Sequence, residues 1–452
     1  MLQDGTMDPP WRPKVALAAA VALVLAVTAT LVGQYEVADR DDTPRTATSP
    51  PALTAKQVAR RDVVVAATLK RRARAVIARD RRSWMADVDR RDRSFVKAQQ
   101  RVFDNLAQLE FATWSYEVVA DGYERPHLAR KYGKAPFFLP PLVLRYAIRG
   151  FDSKAVAVPI VLTFVARGSD WQIASDSDVD EDLPEAGHAE PWDRRQVVAR
   201  KGRNVLVMAD AVDRAEVDEL VQLGDAAVKK VAAMWPNRWR KRVVISAVRD
   251  RRLIETYFRT ELQSSENVAA IAVPVFTEVT NWVREPTEEP ELASNRVILN
   301  ARYFDPDNAF NAHLLTHEIA HVATRADTWA GAPTWLVEGA AEYTAARGGD
   351  VDVGDGLPAS LERQVEAGAV QLPGYDFFQT DVEANYAIGR FACHYIADRY
   401  GETTLRRLYR RLGHVAREIH TLEEQDKAFR QLLGLDTAQF ERRLAAYLKQ
   451  LQ

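Results

Sequence analysis

Cysteine is almost absent from this chain, and its scarcity limits how the protein can be held together. Cys393 is the single cysteine in 452 residues. One thiol cannot form a disulfide within the chain, and it cannot supply the cysteine cluster of a structural zinc site. Stability must therefore come from the burial of apolar side chains.

A net charge of either sign is also lacking. The 61 lysine and arginine residues nearly balance the 63 aspartate and glutamate residues, which leaves a formal charge of −2. This balance excludes the broad positive field by which proteins hold nucleic acid or an anionic membrane surface. The basic runs between residues 70 and 82 are interleaved with aspartate, which is typical of a solvated helix face. We therefore expect no nucleic-acid partner.

Long apolar runs are absent except for one near the N-terminus. Residues 15–32 are all apolar or small apart from Thr28 and Thr30. About 20 such residues span a bilayer, so we predict a transmembrane helix over residues 15–35. A cleaved signal peptide is the alternative, although its apolar core is commonly about 7–15 residues long.

The charges beside this run predict its orientation. Arg12 and Lys14 precede it, and Arg40 lies several residues beyond it. Because basic residues favour the cytoplasmic side, residues 1–14 are predicted to be a cytoplasmic tail. The expected location is the cell membrane, with a single pass and the bulk of the chain outside the cytoplasm.

The rest of the chain is long enough for two folded domains. Residues 36–54, rich in Asp, Thr, Pro and Ala, are predicted to be an extended linker. Residues 55–178 begin with helical spacing and continue with strand-like stretches. This order resembles the cone-shaped NTF2-like fold, down to a final strand at residues 170–173. In that family the cone holds a ligand or serves as a scaffold, so a ligand or partner of this domain is left open.

The C-terminal half has a different pattern. An acidic stretch with Pro184 and Gly187 marks a second predicted linker, residues 179–195. Residues 196–452 alternate strands and helices at first and then continue as helices. The predicted fold class of the whole chain is α+β.

Residues 317–321 have the pattern HExxH within a helical stretch, residues 309–323. Residues four apart lie on the same face of a helix, so His317 and His321 can bind one metal ion. Glu318 is displaced around the helix, where it can take a proton from an attacking water.

A second helical stretch, residues 335–342, carries two glutamates four residues apart. Glu338 is predicted to be the third protein ligand of the metal. Glu342, one turn later, can accept the N–H of a ligating imidazole and fix its tautomer.

These two motifs resemble those of the gluzincin superfamily of zinc metallopeptidases. MA-like members follow HExxH with W-L-x-E-G-x-A-E-Y, and residues 335–343 match that pattern. Residues 385–389 are similar to the Y-x-x-G segment in which aminopeptidase-like members place a tyrosine that donates a hydrogen bond to the oxyanion. The resemblance covers about residues 200–452. It implies one Zn²⁺ ion, and it implies the oxyanion role for Tyr386.

Two departures from the family pattern bear on specificity. Sixteen residues separate His321 from Glu338, slightly fewer than in the best-known members. The chain also lacks the Gly-x-Met-Glu-Asn element with which aminopeptidases hold a free N-terminus. The resemblance therefore favours an endopeptidase, or a peptidase of another specificity, over an aminopeptidase.

Other residues compete for roles at this site. Asp327 has the position of a third ligand in metzincin-like proteins. However, Thr324 replaces the glycine of that motif, and all five methionines precede His317, which leaves no Met-turn. His313 lies one turn before His317, the first predicted ligand. It is interpreted as a packing residue or as a residue that contacts the ligand side chains without binding the metal. Three histidines remain alternatives to the tyrosine as oxyanion donor: His394, His414 and His420.

The predicted function is hydrolysis of a peptide or protein substrate, with Glu318 as general base. An extended substrate could pair with the strand-like residues 268–276. One alternative is a catalytically inactive, peptidase-like envelope module that binds a partner. Another is a structural protein in which HExxH binds nothing.

Overall fold

The structure is a computed structural model that begins at residue 52. It describes residues 52–452 except for 121, 123–124, 180–189, 211–213, 251–252, 255–267, 280–290, 305–308, 330, 349–356, 375 and 416–420. The predicted tail 1–14, the predicted transmembrane helix 15–35 and most of the predicted linker 36–54 lie outside these residues. Among the residues that are described, no helix is both long enough and apolar enough to cross a bilayer.

The first folded unit packs helices against antiparallel strands. Its helices are α1 (Ala55–Ala78), α2 (Arg81–Met85), α3 (Arg93–Leu106) and α4 (Ala129–Tyr132). Its strands are β1 (Phe111–Val118), β2 (Phe137–Phe138), β3 (Pro141–Ile148), β4 (Val156–Val161), β5 (Thr163–Arg167) and β6 (Asp170–Ser175). The strands form two three-stranded sheets, in the orders β1-β3-β4 and β2-β5-β6.

Short polar residues set the starts of these helices. Thr54 caps α1 in a reciprocal capping box with Gln57. Asp80 and Asp92 accept backbone N–H groups at the starts of α2 and α3. Arg79 ends α1 with a left-handed backbone, at φ 54°.

The second unit opens with a mixed sheet and continues with helices. It begins with α5 (Pro191–Arg194), β7 (Val197–Lys201), β8 (Val205–Asp210), α6 (Arg214–Met234), β9 (Val243–Val248), β10 (Ala270–Phe276) and β11 (Leu292–Asn300). The helices that follow are α7 (Ala309–Thr324), α8 (Thr334–Ala346), α9 (Ala359–Glu366), α10 (Val382–Tyr400), α11 (Glu402–Gly413), α12 (Thr421–Leu433) and α13 (Thr437–Leu451). The sheet order is β10-β11-β9-β8-β7, with β8, β9 and β11 parallel and the two outer strands antiparallel. The predicted α+β class is confirmed.

Both faces of the five-stranded sheet are buried. Along β8, Val205 and Val207 belong to the apolar core that the helices of the second unit form. The alternate residues Leu206 and Met208, with Val244 of β9, belong to the apolar core of the first unit. All six residues of β8 are buried, as in strands that are covered on both sides. The two units therefore share an extensive apolar interface.

The strand β3 is more deeply buried than its sequence predicts. Apolar residues at 144, 146 and 148 alternate with residues 145, 147 and 149, two of which are arginines, and this alternation predicts a half-buried strand. In the structure, however, seven of the eight residues of β3 are buried. Arg145 itself is only partly exposed, because its guanidinium donates a hydrogen bond to the carbonyl of Thr277 in the second unit. The second face is covered by a neighbouring unit, which local periodicity cannot reveal.

The described end of the predicted linker 179–195 is packed rather than extended. Trp192 of α5 is 1% exposed. Its ring makes edge contacts with those of Phe111 and Tyr146, at 5.9 and 5.2 Å between centroids. The Asn105 amide donates to the carbonyls of Trp192 and Arg195 at 2.8 and 2.7 Å. Burial of one large aromatic ring has turned this connection into part of the core.

A buried ion pair also joins the two units. The Arg296 guanidinium on β11 donates to both carboxylate oxygens of Asp152, at 2.6 and 3.0 Å. The two side chains are 5% and 0% exposed. Burial by itself would lower the pKa of Arg296, but Asp152 outweighs it and raises that pKa above its ordinary value. Each charge depends on the other, because no water can replace its partner.

Replacing Asp152 with alanine should destabilise the protein by about 3–5 kcal/mol, because it leaves a buried guanidinium unpaired. Chemical denaturation, followed by circular dichroism, measures this loss. The double variant Asp152→Leu/Arg296→Met removes both charges and should recover most of the lost stability. If the double variant were as unstable as the single one, the unpaired charge would not be the cause.

Candidate metal centre

The helix α7 is buried nearly all round, which makes its polar residues unusual. His317, Glu318 and His321 are 1%, 0% and 2% exposed. Their neighbours Leu315, Ile319 and Ala320 lie in the core of the second unit. Buried polar groups need partners, so three titratable side chains in one apolar helix indicate a functional site.

Three ligand atoms converge beside α7. The Nε2 atoms of His317 and His321 lie 3.0 Å apart. Oε2 of Glu338, on the neighbouring helix α8, lies 3.4 Å from the first nitrogen and 3.6 Å from the second. Among the described residues, this buried group is the one cluster that could hold a metal ion.

The spacing of these atoms fits a metal ion. Ligands about 2.0–2.2 Å from a tetrahedrally coordinated ion are about 3.3–3.6 Å from one another. Two of the three observed separations, 3.4 and 3.6 Å, fall in that range, and the third, 3.0 Å between the two nitrogens, is slightly shorter. Oε2 of Glu338 is buried and makes no hydrogen bond within the described residues, although both imidazoles are near. Two nitrogens and one carboxylate oxygen are also a common donor set for a divalent ion.

The second glutamate of α8 lies close to the first imidazole. Oε1 of Glu342 lies 2.7 Å from Nδ1 of His317, although that nitrogen makes no hydrogen bond of good geometry within the described residues. A carboxylate near Nδ1 favours a proton on that nitrogen, which leaves the Nε2 lone pair for a metal ion. The role of Glu342 in fixing the tautomer stays a prediction.

The local charges favour a cation among these groups. Burial by itself would lower the pKa of His317, but Glu338 and Glu342 outweigh it and raise that pKa well above its ordinary value. Burial would likewise raise the pKa of Glu338, yet the nearby histidines, His321 first, lower it. The two carboxylates therefore stabilise positive charge at this point, whether a proton or a metal ion carries it.

Glu318 lies beside the converging atoms and is not one of them. Its two carboxylate oxygens are buried and have no side-chain hydrogen-bond partner among the residues that the structure describes. Burial raises the pKa of Glu318, and the histidines His317 and His321 together with the backbone N–H of Ala272 partly oppose that rise. An unpartnered buried carboxylate is costly, and such groups are found where chemistry requires them.

His313 extends the site towards the surface. Its Nε2 lies 3.1 Å from Oε2 of Glu342, whose other oxygen faces His317. His313 is partly exposed, so one carboxylate bridges a surface histidine and a ligand histidine. The sequence placed His313 on the right helix face but did not connect it with Glu342, because that contact joins two helices. The spacing of four residues between His313 and His317 was the one feature of the sequence that could have placed His313 at this site.

Tyr386 of α10 lies beside Glu338. Its side chain is 6% exposed, and its ring packs edge-on against Phe377 at 5.0 Å between centroids. Burial raises the pKa of Tyr386 well above its ordinary value, and the charges of Glu338 and Glu342 raise it further. The hydroxyl therefore stays protonated and can act as a hydrogen-bond donor at neutral pH.

Two glycines allow α8 and α10 to approach closely. A Cβ on Gly339 would lie 2.2 Å from the carbonyl oxygen of Gly389, and a Cβ on Gly389 would lie 2.7 Å from the carbonyl oxygen of Trp335. Any side chain at either position would push the helices apart. Gly339 directly follows Glu338, so this contact also sets how near Tyr386 comes to the ligands.

The competing residues lie in other surroundings. Asp327 pairs with His414 at 3.0 Å and with Arg238 at 3.3 Å, and it is not part of the converging group. His394 is buried against the ring of Tyr343, and burial lowers the pKa of His394 to about 4. His420 lies outside the described residues.

Replacing His313 with alanine should weaken metal binding about 10–100-fold, because Glu342 loses the contact that holds its second oxygen. Competition with a chromogenic chelator measures the affinity. His313→Gln keeps an N–H donor near the same point and should restore most of it. If alanine left the affinity unchanged, the contact between His313 and Glu342 would have no part in holding the ligands.

Comparisons with known proteins do not provide a family for this chain. No protein-family model matches it, and no curated protein matches its sequence. The interpretation of the site therefore depends on the residues of this chain and on their geometry.

Proposed function

We propose that the protein is a zinc-dependent peptidase of the gluzincin type, anchored in the cell membrane by residues 15–35 with its catalytic unit outside the cytoplasm. The observation that carries the proposal is the triangle formed by His317, His321 and Glu338, with the buried carboxylate of Glu318, which no other described side chain holds, beside it. A structural metal site would need no free base next to it.

Zinc is the metal that we propose, as one ion. Two imidazoles and one carboxylate are the protein ligands of many catalytic zinc sites, in which a fourth position stays open. When bound, the ion would polarise the scissile carbonyl and lower the pKa of water towards about 7.

Glu318 is the proposed general base. No side chain among the described residues hydrogen-bonds to its carboxylate oxygens, which leaves them able to accept a proton from the attacking water. The same residue would pass that proton to the leaving amine, which must be protonated before it departs. Its place on α7, next to a ligand but off the ligand face, suits a group that acts on the water and does not bind the metal.

Tyr386 is the proposed oxyanion donor. Its protonated hydroxyl lies beside Glu338, on the side of the site that α10 covers. The hydroxyl interacts with Glu338, and it would exchange that contact for the carbonyl oxygen as negative charge develops there, which would stabilise the transition state.

The strand β10 is the proposed place for an extended substrate. It is the outermost strand of the five-stranded sheet among the described residues, and it packs against α7. The backbone of Ala272, in this strand, interacts with Glu318. A peptide paired with the outer edge of β10 would therefore run past the general base. This arrangement supports an endopeptidase.

The first folded unit is proposed to be an NTF2-like domain. Its order of helices followed by antiparallel strands over residues 55–178 supports that proposal. Its apolar core packs on one face of the five-stranded sheet of the second unit. The first unit therefore contributes to the stability of the proposed peptidase unit.

Replacing Glu318 with glutamine should leave metal content unchanged and lower peptide hydrolysis about 10²–10⁴-fold, because only the base is removed. Elemental analysis of the purified protein and cleavage of an unbiased peptide library measure the two properties. Glu366→Gln, an exposed residue of α9, is the matched control. Metal binding by the wild type without any cleavage would favour the inactive binding module, and absence of metal would favour a structural role.

Replacing Tyr386 with phenylalanine should lower kcat about 10²–10³-fold and leave KM nearly unchanged, because the donor acts on the transition state. Steady-state kinetics on a cleaved peptide measure both constants. Tyr395→Phe, in the same helix, is the control. An equal loss in both variants would indicate a packing defect in α10.

A further inference from the structure

The strand β1 lies at the edge of its sheet and has one side unpaired. In the order β1-β3-β4, β3 is its one partner among the described strands. The N–H of Val119, directly after β1, donates to the carbonyl of Pro141 at 3.1 Å, which turns Val119 and every second residue before it towards β3. The backbone groups of Trp114, Tyr116 and Val118 therefore point away from the sheet. No hydrogen bond within the described residues satisfies these groups.

Other sheet edges in the molecule are protected against further pairing. The edge strand β4 carries Pro159, which has no N–H to offer. The edge strand β6 is bridged at Ile173 by the backbone of residues 87–89. The edge of β7 is covered by the side-chain amide of Gln108, from α3. The strand β1 is eight residues long and has neither a proline nor a covering group among the described residues. A long, open edge of this kind is where another strand can be added.

A groove runs between this open edge and the helix α1. Its volume is about 740 Å³, within the range of sites that bind ligands. Its walls are mainly apolar, with Leu69 and Ile77 on the helix side and Trp114 and Val118 on the strand side. Ile77 and Val118 are 47% and 45% exposed, which is unusual for large apolar side chains in this molecule. An apolar wall beside unpaired backbone groups indicates a surface that another chain covers.

The groove also carries a net positive charge. Among the described residues that line it, Lys70 and Arg74 are cations and none is a carboxylate. Both cations are exposed, and they lie one turn apart on α1. Neither forms an ion pair within the described residues, whereas the adjacent Arg71 pairs with Asp87 at 2.6 Å. Charge complementarity therefore favours an acidic partner.

We propose that the groove between α1 and β1 binds an extended segment of another protein in which apolar and acidic residues alternate. The backbone of that segment continues the sheet beyond β1, and its apolar side chains pack against the groove walls. Its acidic side chains lie near Lys70 and Arg74. A lipid chain would cover the walls but would leave the backbone of β1 unpaired, so the open edge favours a peptide. The proposal is independent of peptide hydrolysis, since no residue of the metal centre takes part.

The test uses a fluorescent peptide of alternating valine and glutamate, about as long as β1. Fluorescence anisotropy measures its binding to the full chain in phosphatidylcholine nanodiscs. Two further peptides carry N-methyl groups, one on every valine and the other on every glutamate. An added strand turns only every second N–H towards β1. One methylated peptide should therefore bind at least about tenfold more weakly, and the other should bind like the parent peptide.

The charges of the groove are tested by reversing them. Lys70→Glu/Arg74→Glu should weaken binding of the glutamate peptide about tenfold and strengthen binding of a peptide that alternates valine and lysine. Lys56→Glu/Arg60→Glu is the matched control, because these exposed cations have the same spacing on the same helix but do not line the groove. The control should bind both peptides as the wild type does.

Three results would overturn the proposal. Equal weakening by both N-methyl patterns would exclude pairing with β1. Equal effects of the two double variants would place the charge effect outside the groove. Absence of binding at about 1 mM peptide would show that no separate segment binds there. If binding then appeared after Asp39, Asp41 and Asp42 were replaced with asparagine, the occupant of the groove would be the predicted linker of this chain.

Discussion

The contact between α8 and α10 at Gly339 and Gly389 is the constraint on which the candidate site depends. The helices can approach so closely only because neither glycine has a side chain. The same approach presents Glu338 to the imidazoles of α7 on one side and to Tyr386 on the other. One helix therefore supplies the carboxylates, and its two neighbours supply the groups that face them.

Three clusters of buried charge show how this protein balances desolvation in different ways. Arg296 and Asp152 form a complete pair, which serves to join the two units. The candidate metal centre combines two histidines with the carboxylates of Glu338 and Glu342, so it favours an added positive charge. Arg72 is balanced less directly, through Gln99, whose amide donates to Asp176. Where a buried cluster has an excess of one charge, a group of the opposite charge is expected to bind there.

The five-stranded sheet lies between the two units and contacts both. One face packs on the helices that carry the metal ligands, and the other face packs on the first unit. Its edge strand β10 contacts α7, so the position of the proposed substrate strand and that of Glu318 are set by the same packing. A change in the first unit would reach the metal centre through this sheet rather than through a flexible linker.

The sequence by itself determined the local features of the protein. Helical spacing and strand composition predicted the α+β class and the helical stretch at residues 309–323, and the spacing of His317 and His321 specified one face of that helix. Tertiary structure decided what depends on packing between distant segments. Three contacts have no local signature: that of His313 with Glu342, the burial of Trp192 in a predicted linker and the burial of Arg72 over the ring of Trp84. Each depends on which elements pack against each other in the folded chain. A periodic pattern predicts that one face of an element is buried, but it does not predict which other element covers that face.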